Sequence, residues 1–285
     1  MRGAAALAGV TALALAGCAG PAGAPGTEPA ASGEQAASPA AAPLAGEVID
    51  LTHAFDEETI YWPTEEGFVL EEGFAGFTEA GFYYEAHRFR GAEHGGTHLD
   101  APIHFAEGKW TTDEIPVERL IGPGAVIDVT AQAAADRDYQ VTAADLQAWE
   151  AEHGRLPDGA IVLLSTGFGA FWPDRERYMG TALRGAEGVA ALHFPGLHPD
   201  AARWLVAERS ISAIGLDTPS IDYGQSKLFE SHTALFAANV PAFENVAHLD
   251  RLPAATGFTV VALPMKIAGG SGGPLRIVAV LPASG

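Results

Sequence analysis

Short apolar runs rich in β-branched residues recur along the chain, and Gly, Pro or Asp bounds each of them. Runs of this length and composition are typical of buried β-strands. The pattern predicts strands over residues 48–52, 125–130, 160–165, 211–216, 259–263 and 275–281. Polar and apolar positions alternate more regularly over Tyr83–Arg90, which predicts a half-exposed strand.

Helix signals lie between these runs. Thr142 precedes Asp145 by three residues, which resembles a capping box and predicts a helix that ends at Gly154. Pro199 suits a first helical position and predicts a helix over 200–209. Shorter helices are expected near 232–238 and after Pro241. Strands and helices mixed in this way predict an α/β fold, a single domain with a mixed β-sheet flanked by helices.

The first 17 residues have the pattern of an export signal. A positively charged start precedes an apolar stretch of small and aliphatic residues, which is too short for a membrane span of about 20 residues. The segment ends in Leu-Ala-Gly before Cys18, which looks like a bacterial lipobox. We therefore expect a lipoprotein signal peptide over 1–17 and lipidation of Cys18. The alternative is an ordinary signal peptide that is cut elsewhere.

Residues 18–45 contain mostly Ala, Pro, Gly and Ser and cannot bury enough apolar surface to fold, so they are interpreted as a flexible tether. The catalytic domain is assigned to residues 46–285. This organisation predicts an exported protein, anchored by lipid to the cell membrane, with its domain outside the cytoplasm.

Composition narrows the possible partners. The chain has 16 Lys and Arg against 36 Asp and Glu, a formal net charge of −20. Such a chain is a poor binder of nucleic acids or anionic membrane surfaces, so we expect membrane contact only through the lipid anchor. Cys18 is the single cysteine, which excludes an intrachain disulfide and a cysteine-based zinc module. A small-molecule substrate and a homo-oligomer, either a dimer or a tetramer, are expected.

The candidate chemistry is concentrated in one segment that contains His94, His98, Asp100 and His104. These even positions would share one face of an extended strand but would span about 33 Å at roughly 3.3 Å per residue. The glycine pair and the proline within the segment therefore indicate bends around a centre. Two imidazoles and a carboxylate form a ligand set for a divalent metal with open positions. His104 could then transfer protons beside the metal.

This segment resembles the HxGTHxDxPxHF signature of the cyclase family, which includes bacterial kynurenine formamidases and isatin hydrolases. Further resemblance lies at residues 50–53, 62–63, 215–222, 232–245 and 263–276, so that it covers about 46–285. The resemblance implies a site with one or two divalent ions, zinc first and manganese as the alternative. His94, His98 and Asp100 would hold one ion, and Asp100 would bridge to a second held by His232 and Glu244.

The resemblance also implies a function, namely a metal-dependent amidohydrolase that acts on carbon–nitrogen bonds other than peptide bonds. An arylformamide such as N-formylkynurenine, an intermediate of tryptophan catabolism to kynurenine, is the first expected substrate, and His104 would be the catalytic acid/base. The alternatives are a cyclic-amide hydrolase of the isatin type, a metal-dependent cyclase or lyase, and a non-enzymatic metal-binding lipoprotein. Export argues against the formamidase role inside the cell, and the spare histidine argues against the non-enzymatic protein.

Three aromatic residues are candidates for a pocket that accepts a flat substrate. They are Trp62, Phe168 and Trp172. The alternative is that they belong to the core, as most aromatic residues of α/β domains do.

Overall fold

A computed structural model describes residues 46–283 of the chain. The predicted signal peptide, Cys18 and the predicted tether lie outside the described residues. None of the described helices combines the length and the apolar character needed to cross a membrane.

Most of the strands are short, and their bounds are as follows. The strands are β1 (Val48–Asp50), β2 (Val69–Phe77), β3 (Tyr83–Arg90), β4 (His98–Asp100), β5 (Ile121–Asp128), β6 (Gln140–Val141), β7 (Ile161–Ser165), β8 (Gly196–Leu197), β9 (Ala213–Leu216), β10 (Ala242–Glu244), β11 (Thr259–Pro264) and β12 (Gly272–Val280). The helices are α1 (Thr130–Ala135), α2 (Ala143–His153), α3 (Arg175–Met179), α4 (Gly185–Ala190), α5 (Pro199–Glu208) and α6 (Glu230–Ala237).

The main sheet is mixed, as predicted, but it closes on itself. Its order is β1-β12-β11-β5-β7-β9-β10-β4, and β4 pairs with β12 as well as with β10. Strands β5, β7, β9 and β10 run parallel, whereas the remaining pairs are antiparallel. The predicted sheet flanked by helices is therefore corrected to a barrel-like sheet with helices outside it. The closing strand was missed because its three residues lie in the glycine-rich motif and have no apolar run.

Strand β7 shows why the apolar runs were recognisable. Ile161 and Leu163 pack in one hydrophobic cluster, whereas Val162 and Leu164 pack in a second cluster with residues of α2, α5 and α6. Alternate side chains of a strand point to opposite faces, so a strand buried on both faces needs an unbroken apolar run.

The capping signals are confirmed. The Thr142 side chain accepts a hydrogen bond from the Asp145 amide and α2 stops at Gly154, which has a φ of 87°. Pro199 is the first residue of α5. The helix expected after Pro241 is wrong, because residues 242–244 form β10 between β9 and β4.

Strand β3 has the predicted bounds but not the predicted burial. All eight of its residues are exposed, and it pairs only with β2 in a separate two-stranded sheet. The expected half-buried strand is therefore corrected to one exposed on both faces.

Candidate metal centre

The register of β4 and β10 brings together three buried polar side chains. His98 and Asp100 are two residues apart on β4 and therefore share a face, and Glu244 of β10 is the cross-strand partner of His98. His98 Nε2 lies 3.0 Å from Asp100 Oδ1 and 3.5 Å from Glu244 Oε2. None of the three is more than 5% exposed.

Helix α6 adds His232 to this cluster. Its Nε2 lies 3.1 Å from Glu244 Oε1 and 3.3 Å from Asp100 Oδ2. Its Nδ1 lies 2.6 Å from Asp222 Oδ2, which also accepts a hydrogen bond from the His232 amide. Asp222 therefore fixes the ring with Nδ1 as the donor and leaves Nε2 facing the carboxylates of Asp100 and Glu244, which is the orientation in which it would bind a metal. His98 is oriented in the same way, because its Nδ1 donates to the Gly96 carbonyl at 2.9 Å.

His94 and His104 form a stacked pair at the edge of the cluster. Their ring centroids are 3.8 Å apart with an interplanar angle of 19°. His94 Nδ1 lies 2.7 Å from Asp100 Oδ1, and its Nε2 lies 3.0 Å from Ser271 Oγ. Gly272 must lack a side chain here, since a Cβ at that position would approach the His94 ring to 2.6 Å. The glycine-rich segment of β12 thus supports the histidine pair.

Burial and close charges shift the pKa values of these groups in opposite directions. Burial alone would raise the pKa of Asp100, but the neighbouring histidines hold it well below its ordinary value. Burial would lower the pKa of His98, but Asp100 and Glu244 raise it to about 9. The pKa of His232 is raised well above its ordinary value, because its hydrogen bonds to carboxylates outweigh burial. Burial and the Asp100 charge raise the pKa of Glu244.

His104 differs from the other histidines of the site. Burial, its largest influence, lowers its pKa to about 4, and nearby histidines act in the same direction. Its imidazole is therefore neutral at neutral pH, as a proton acceptor must be.

The donor set fits a divalent metal centre. His98 Nε2 is buried and has no hydrogen-bond partner among the described residues. Two sets of three side chains share Asp100. Within each set, the potential ligand atoms lie within 4.8 Å of one another. The sets are His94–Asp100–His104 and His98–Asp100–Glu244. Imidazole and carboxylate donors suit zinc, and also manganese.

This grouping differs from the one that the sequence suggested. Asp100, which was expected to bridge two ions, belongs to both sets, and its bridging role stays a prediction. His98 is grouped with Glu244 rather than with His94, and His104, expected to be free of the metal, lies among the possible ligands.

The cluster forms one wall of a cavity of about 370 Å³. Apolar side chains of Ile60, Trp62, Phe105 and Phe229 line much of the remainder. The Phe105 ring lies 4.6 Å from the His232 ring and 5.0 Å from the Phe229 ring, so it connects the cluster to the apolar wall. No Lys or Arg is among the lining residues of this cavity in the described part of the chain.

Of the three aromatic residues predicted for the pocket, only Trp62 lines it. Phe168 is 4% exposed and packs in a hydrophobic cluster with Tyr178 and Met179. Trp172 stacks on His53 at 4.2 Å instead. Both follow β7, where a short 3₁₀ helix at residues 168–171 packs against that cluster.

Two wall residues and one orienting residue were missed by sequence reasoning. Phe105 ends the signature segment, so its position beside a site histidine was a usable signal. Phe229 precedes α6 in a left-handed conformation with a φ of 47°, which nothing in the sequence indicated. Asp222 lies in a segment that carried the family resemblance but had no assigned role.

Comparison with known proteins identifies the family. The family model described as "Putative cyclase" matches residues 49–223. The chain belongs to the cyclase family, as its motif predicted.

Two relatives and one solved structure illustrate the similarity. An isatin hydrolase of Roseibium aggregatum is 36% identical over 198 residues, which cover 67% of this chain and 72% of that protein. A kynurenine formamidase of Salinibacter ruber is 28% identical over 81% of this chain and 96% of that protein. The structure of isatin hydrolase A from Labrenzia aggregata bound to benzyl benzoate is 34% identical, with a TM-score of 0.74, and the match covers 82% of this chain and 93% of that one.

These similarities confirm the predicted enzyme class, a metal-dependent hydrolase that acts on carbon–nitrogen bonds other than peptide bonds.

Proposed function

We propose that this protein hydrolyses the amide bond of a small, flat and uncharged ring amide of the isatin type. The observation that carries this proposal is the charge of the cavity wall. Among the described residues, its lining contains histidines and the carboxylates of Glu65, Glu93, Asp100 and Glu244, but no Lys or Arg.

This wall disfavours a substrate with a free carboxylate. N-formylkynurenine carries a carboxylate and an ammonium group, whereas isatin carries neither. Away from the metal ligands, a substrate carboxylate in this cavity would meet the carboxylates of Glu65 and Glu93 rather than a Lys or Arg, and burying a charge beside like charges is costly. The flat walls of Trp62, Phe105 and Phe229 suit the face of an aromatic ring. The similarity to isatin hydrolases supports the same choice over the arylformamide.

In the proposed mechanism, five side chains would hold one or two divalent ions. They are His94, His98, Asp100, His232 and Glu244. Zinc is the first candidate, and manganese is the alternative. When bound, a divalent ion supplies Lewis acidity, which lowers the pKa of water and polarises a carbonyl.

Side chains of the protein transfer the proton, orient the substrate and position a metal ligand. The neutral His104 ring accepts a proton from the attacking water and returns it to the leaving nitrogen, so that a carboxylate and an amine result. The Phe105 and Phe229 rings orient the substrate ring beside the cluster. Asp222 keeps the His232 ring in its ligating orientation.

The test compares three substrates with the metal-loaded protein. Isatin is an uncharged ring amide, formanilide is an uncharged formamide, and N-formylkynurenine is a charged formamide. Comparison of the three therefore separates the effect of the ring from the effect of the charge. We expect kcat/KM to be highest for isatin, lower for formanilide and lowest for N-formylkynurenine. If N-formylkynurenine is the best substrate, the charge argument and the proposal are both wrong.

We also propose that the enzyme is exported and anchored through lipidated Cys18. The lipobox-like segment and the tether composition support this location. Cys18→Ser is expected to release the protein from the membrane fraction while hydrolysis continues. Unchanged retention of the variant in the membrane fraction would refute the anchor.

A further inference from the structure

Ser271 joins a carboxylate of the cavity wall to one of the proposed metal ligands. Glu93 lines the cavity, and its Oε2 accepts two hydrogen bonds from Ser271, one from the amide at 3.0 Å and one from the hydroxyl at 2.6 Å. The same hydroxyl oxygen lies 3.0 Å from His94 Nε2. Glu93 and Ser271 have no part in the metal ligation or the proton transfer proposed above, yet both are joined to a ligand by hydrogen bonds.

Two glycines allow Ser271 to approach its partners this closely. A Cβ at Gly270 would lie 2.9 Å from Glu93 Oε1, and a Cβ at Gly272 would lie 2.6 Å from His94 Cε1. Contacts this short would force the neighbouring atoms to move. The backbone can therefore place the hydroxyl between the carboxylate and the imidazole only because both flanking residues lack a side chain.

The single proton of the Ser271 hydroxyl determines the direction of both hydrogen bonds. A carboxylate only accepts, so the hydroxyl donates to Glu93 and its oxygen accepts from His94 Nε2. A neutral imidazole has one N–H, so the free lone pair of the His94 ring lies on Nδ1. Nδ1 lies 2.7 Å from Oδ1 of Asp100, the residue that both sets of potential metal ligands share.

This orientation is opposite to that of the two other histidines proposed as ligands. The Nδ1 atoms of His98 and His232 face the Gly96 carbonyl and the Asp222 carboxylate, so their Nε2 atoms face the cluster. The hydrogen bond made by one ring nitrogen determines which nitrogen is left for a metal. The same rule therefore selects Nε2 in these two rings and Nδ1 in His94.

We infer that Ser271 and Glu93 are positioning residues that keep the proton of the His94 ring on Nε2, so that His94 binds the metal through Nδ1. This role rests on the proposed function, because it presupposes that the cluster holds a metal. Without the hydroxyl, the ring is free to rotate and to change its tautomer, and part of the binding free energy is lost in fixing it. Loss of such a partner typically weakens metal binding by about 10–100-fold.

NMR of the zinc-loaded full chain tests which nitrogen is the ligand, and zinc is used because it is diamagnetic. Long-range nitrogen–proton spectra of protein labelled in its histidine rings distinguish the two nitrogens, because the Hδ2 proton couples more strongly to Nε2 than to Nδ1. We expect a zinc-bound Nδ1 and a protonated Nε2 for His94, whose signals are assigned by their loss in His94→Gln. A zinc-bound Nε2 in this ring would overturn the inference.

Zinc affinity, measured by competition with a chelator, tests the role of Ser271. Ser271→Ala should bind zinc about 10–100-fold more weakly. Ser271→Thr keeps the hydroxyl and should bind zinc more tightly than Ser271→Ala. Ser210→Ala is the matched control, because Ser210 is exposed, precedes β9 and is not part of the cavity wall. Circular dichroism confirms that each variant is folded.

The outcomes separate this inference from the proposed substrate. Equal zinc affinities in Ser271→Ala and in the control would overturn the positioning role. A parent that binds no zinc would refute the metal centre and the positioning role together. A parent that binds zinc through His94 Nδ1 but does not hydrolyse isatin would refute only the proposed substrate.

Discussion

The metal-ligand cluster and the hairpin of strands β2 and β3 differ in the side chains that they bury. In the cluster, His98, Asp100, His232 and Glu244 are at most 5% exposed. In the hairpin, seven large apolar side chains are more than half exposed, namely Leu70, Phe74, Phe77, Phe82, Tyr83, Tyr84 and Phe89. Buried ionisable groups and exposed apolar patches are the two informative departures from the usual distribution of side chains.

The comparison shows that each region lacks a different kind of partner. The buried carboxylates and imidazoles are close enough to partner one another, yet His98 Nε2 has no hydrogen-bond partner among the described residues, and a cation would complete the set. The hairpin has its internal hydrogen bonds, but nothing in the described chain covers its rings. A cation should therefore determine activity.

The largest expected effect comes from removing a cluster ligand. His98→Ala should lose bound metal and activity together, because it removes a buried nitrogen that lies 3.0 Å from Asp100 Oδ1 and 3.5 Å from Glu244 Oε2. Elemental analysis and an activity assay measure the two losses. His153→Ala, on the solvent side of α2, is the control and should keep both. Full metal content in the His98 variant would show that this side chain is not a ligand.

The next effect separates the base from the ligands. His104→Ala should keep its metal but lose about 10²–10⁴-fold in kcat, the usual contribution of a general acid/base. Glu244→Gln should instead bind metal more weakly and recover activity when metal is added. Rescue of the His104 variant by added zinc or manganese would make His104 a ligand, which its place in the first ligand set allows.

A smaller effect is expected at the residue that orients His232. Asp222→Asn should weaken metal affinity by about 10–100-fold, because partners of metal-binding histidines contribute on this scale. A metal titration of the variant gives the affinity, and kcat at saturating metal should stay close to that of the parent. An unchanged affinity would leave Asp222 with a purely structural role.

The smallest expected effect concerns the stability contributed by an ion pair that lies outside both the cluster and the hairpin. Arg209 Nε donates to Glu150 Oε1 at 2.7 Å, and this bond lowers the pKa of Glu150. Glu150→Gln should lower the free energy of unfolding by about 1 kcal/mol at neutral pH. A lowered pKa stabilises the fold above the unfolded value of about 4.3, and this stabilisation disappears as the pH falls through the folded value.

Urea unfolding at neutral and at acidic pH measures the difference in the free energy of unfolding between the parent and the Glu150→Gln variant. The gap between parent and variant should close at the lower pH. Glu152→Gln, at a position with 78% side-chain exposure, should show no gap at either pH. A gap of equal size at both pH values would contradict the charge explanation.

The sequence predicted the interior of the fold better than its closure. Strands such as β7, buried on both faces, leave an unbroken apolar run, and caps such as Thr142 have a local signal. Strand β4 is only three residues long and is defined by its pairing with β10 and β12, which no local pattern encodes. Strand β3 was recognised as a strand, but its exposure depends on what lies nearby in three dimensions.

The site was predictable to a similar extent. His94, His98, Asp100 and His104 are close in sequence, so their clustering was visible without any structure. Glu244 meets His98 only through strand register, and it was found through family resemblance alone. Phe229 lines the cavity because of a left-handed turn before α6, which no local pattern in the sequence indicates.

We propose that the buried cluster holds the metal with which the protein hydrolyses a neutral ring amide. The most direct test is a titration of metal-free protein with zinc or manganese, in which bound metal and the rate of isatin hydrolysis are measured in the same samples. The rate should be absent without metal and should rise with bound metal until one or two ions per chain are held. Equal rates in metal-free and metal-loaded protein, or full metal occupancy without hydrolysis of isatin, would refute this role of the cluster.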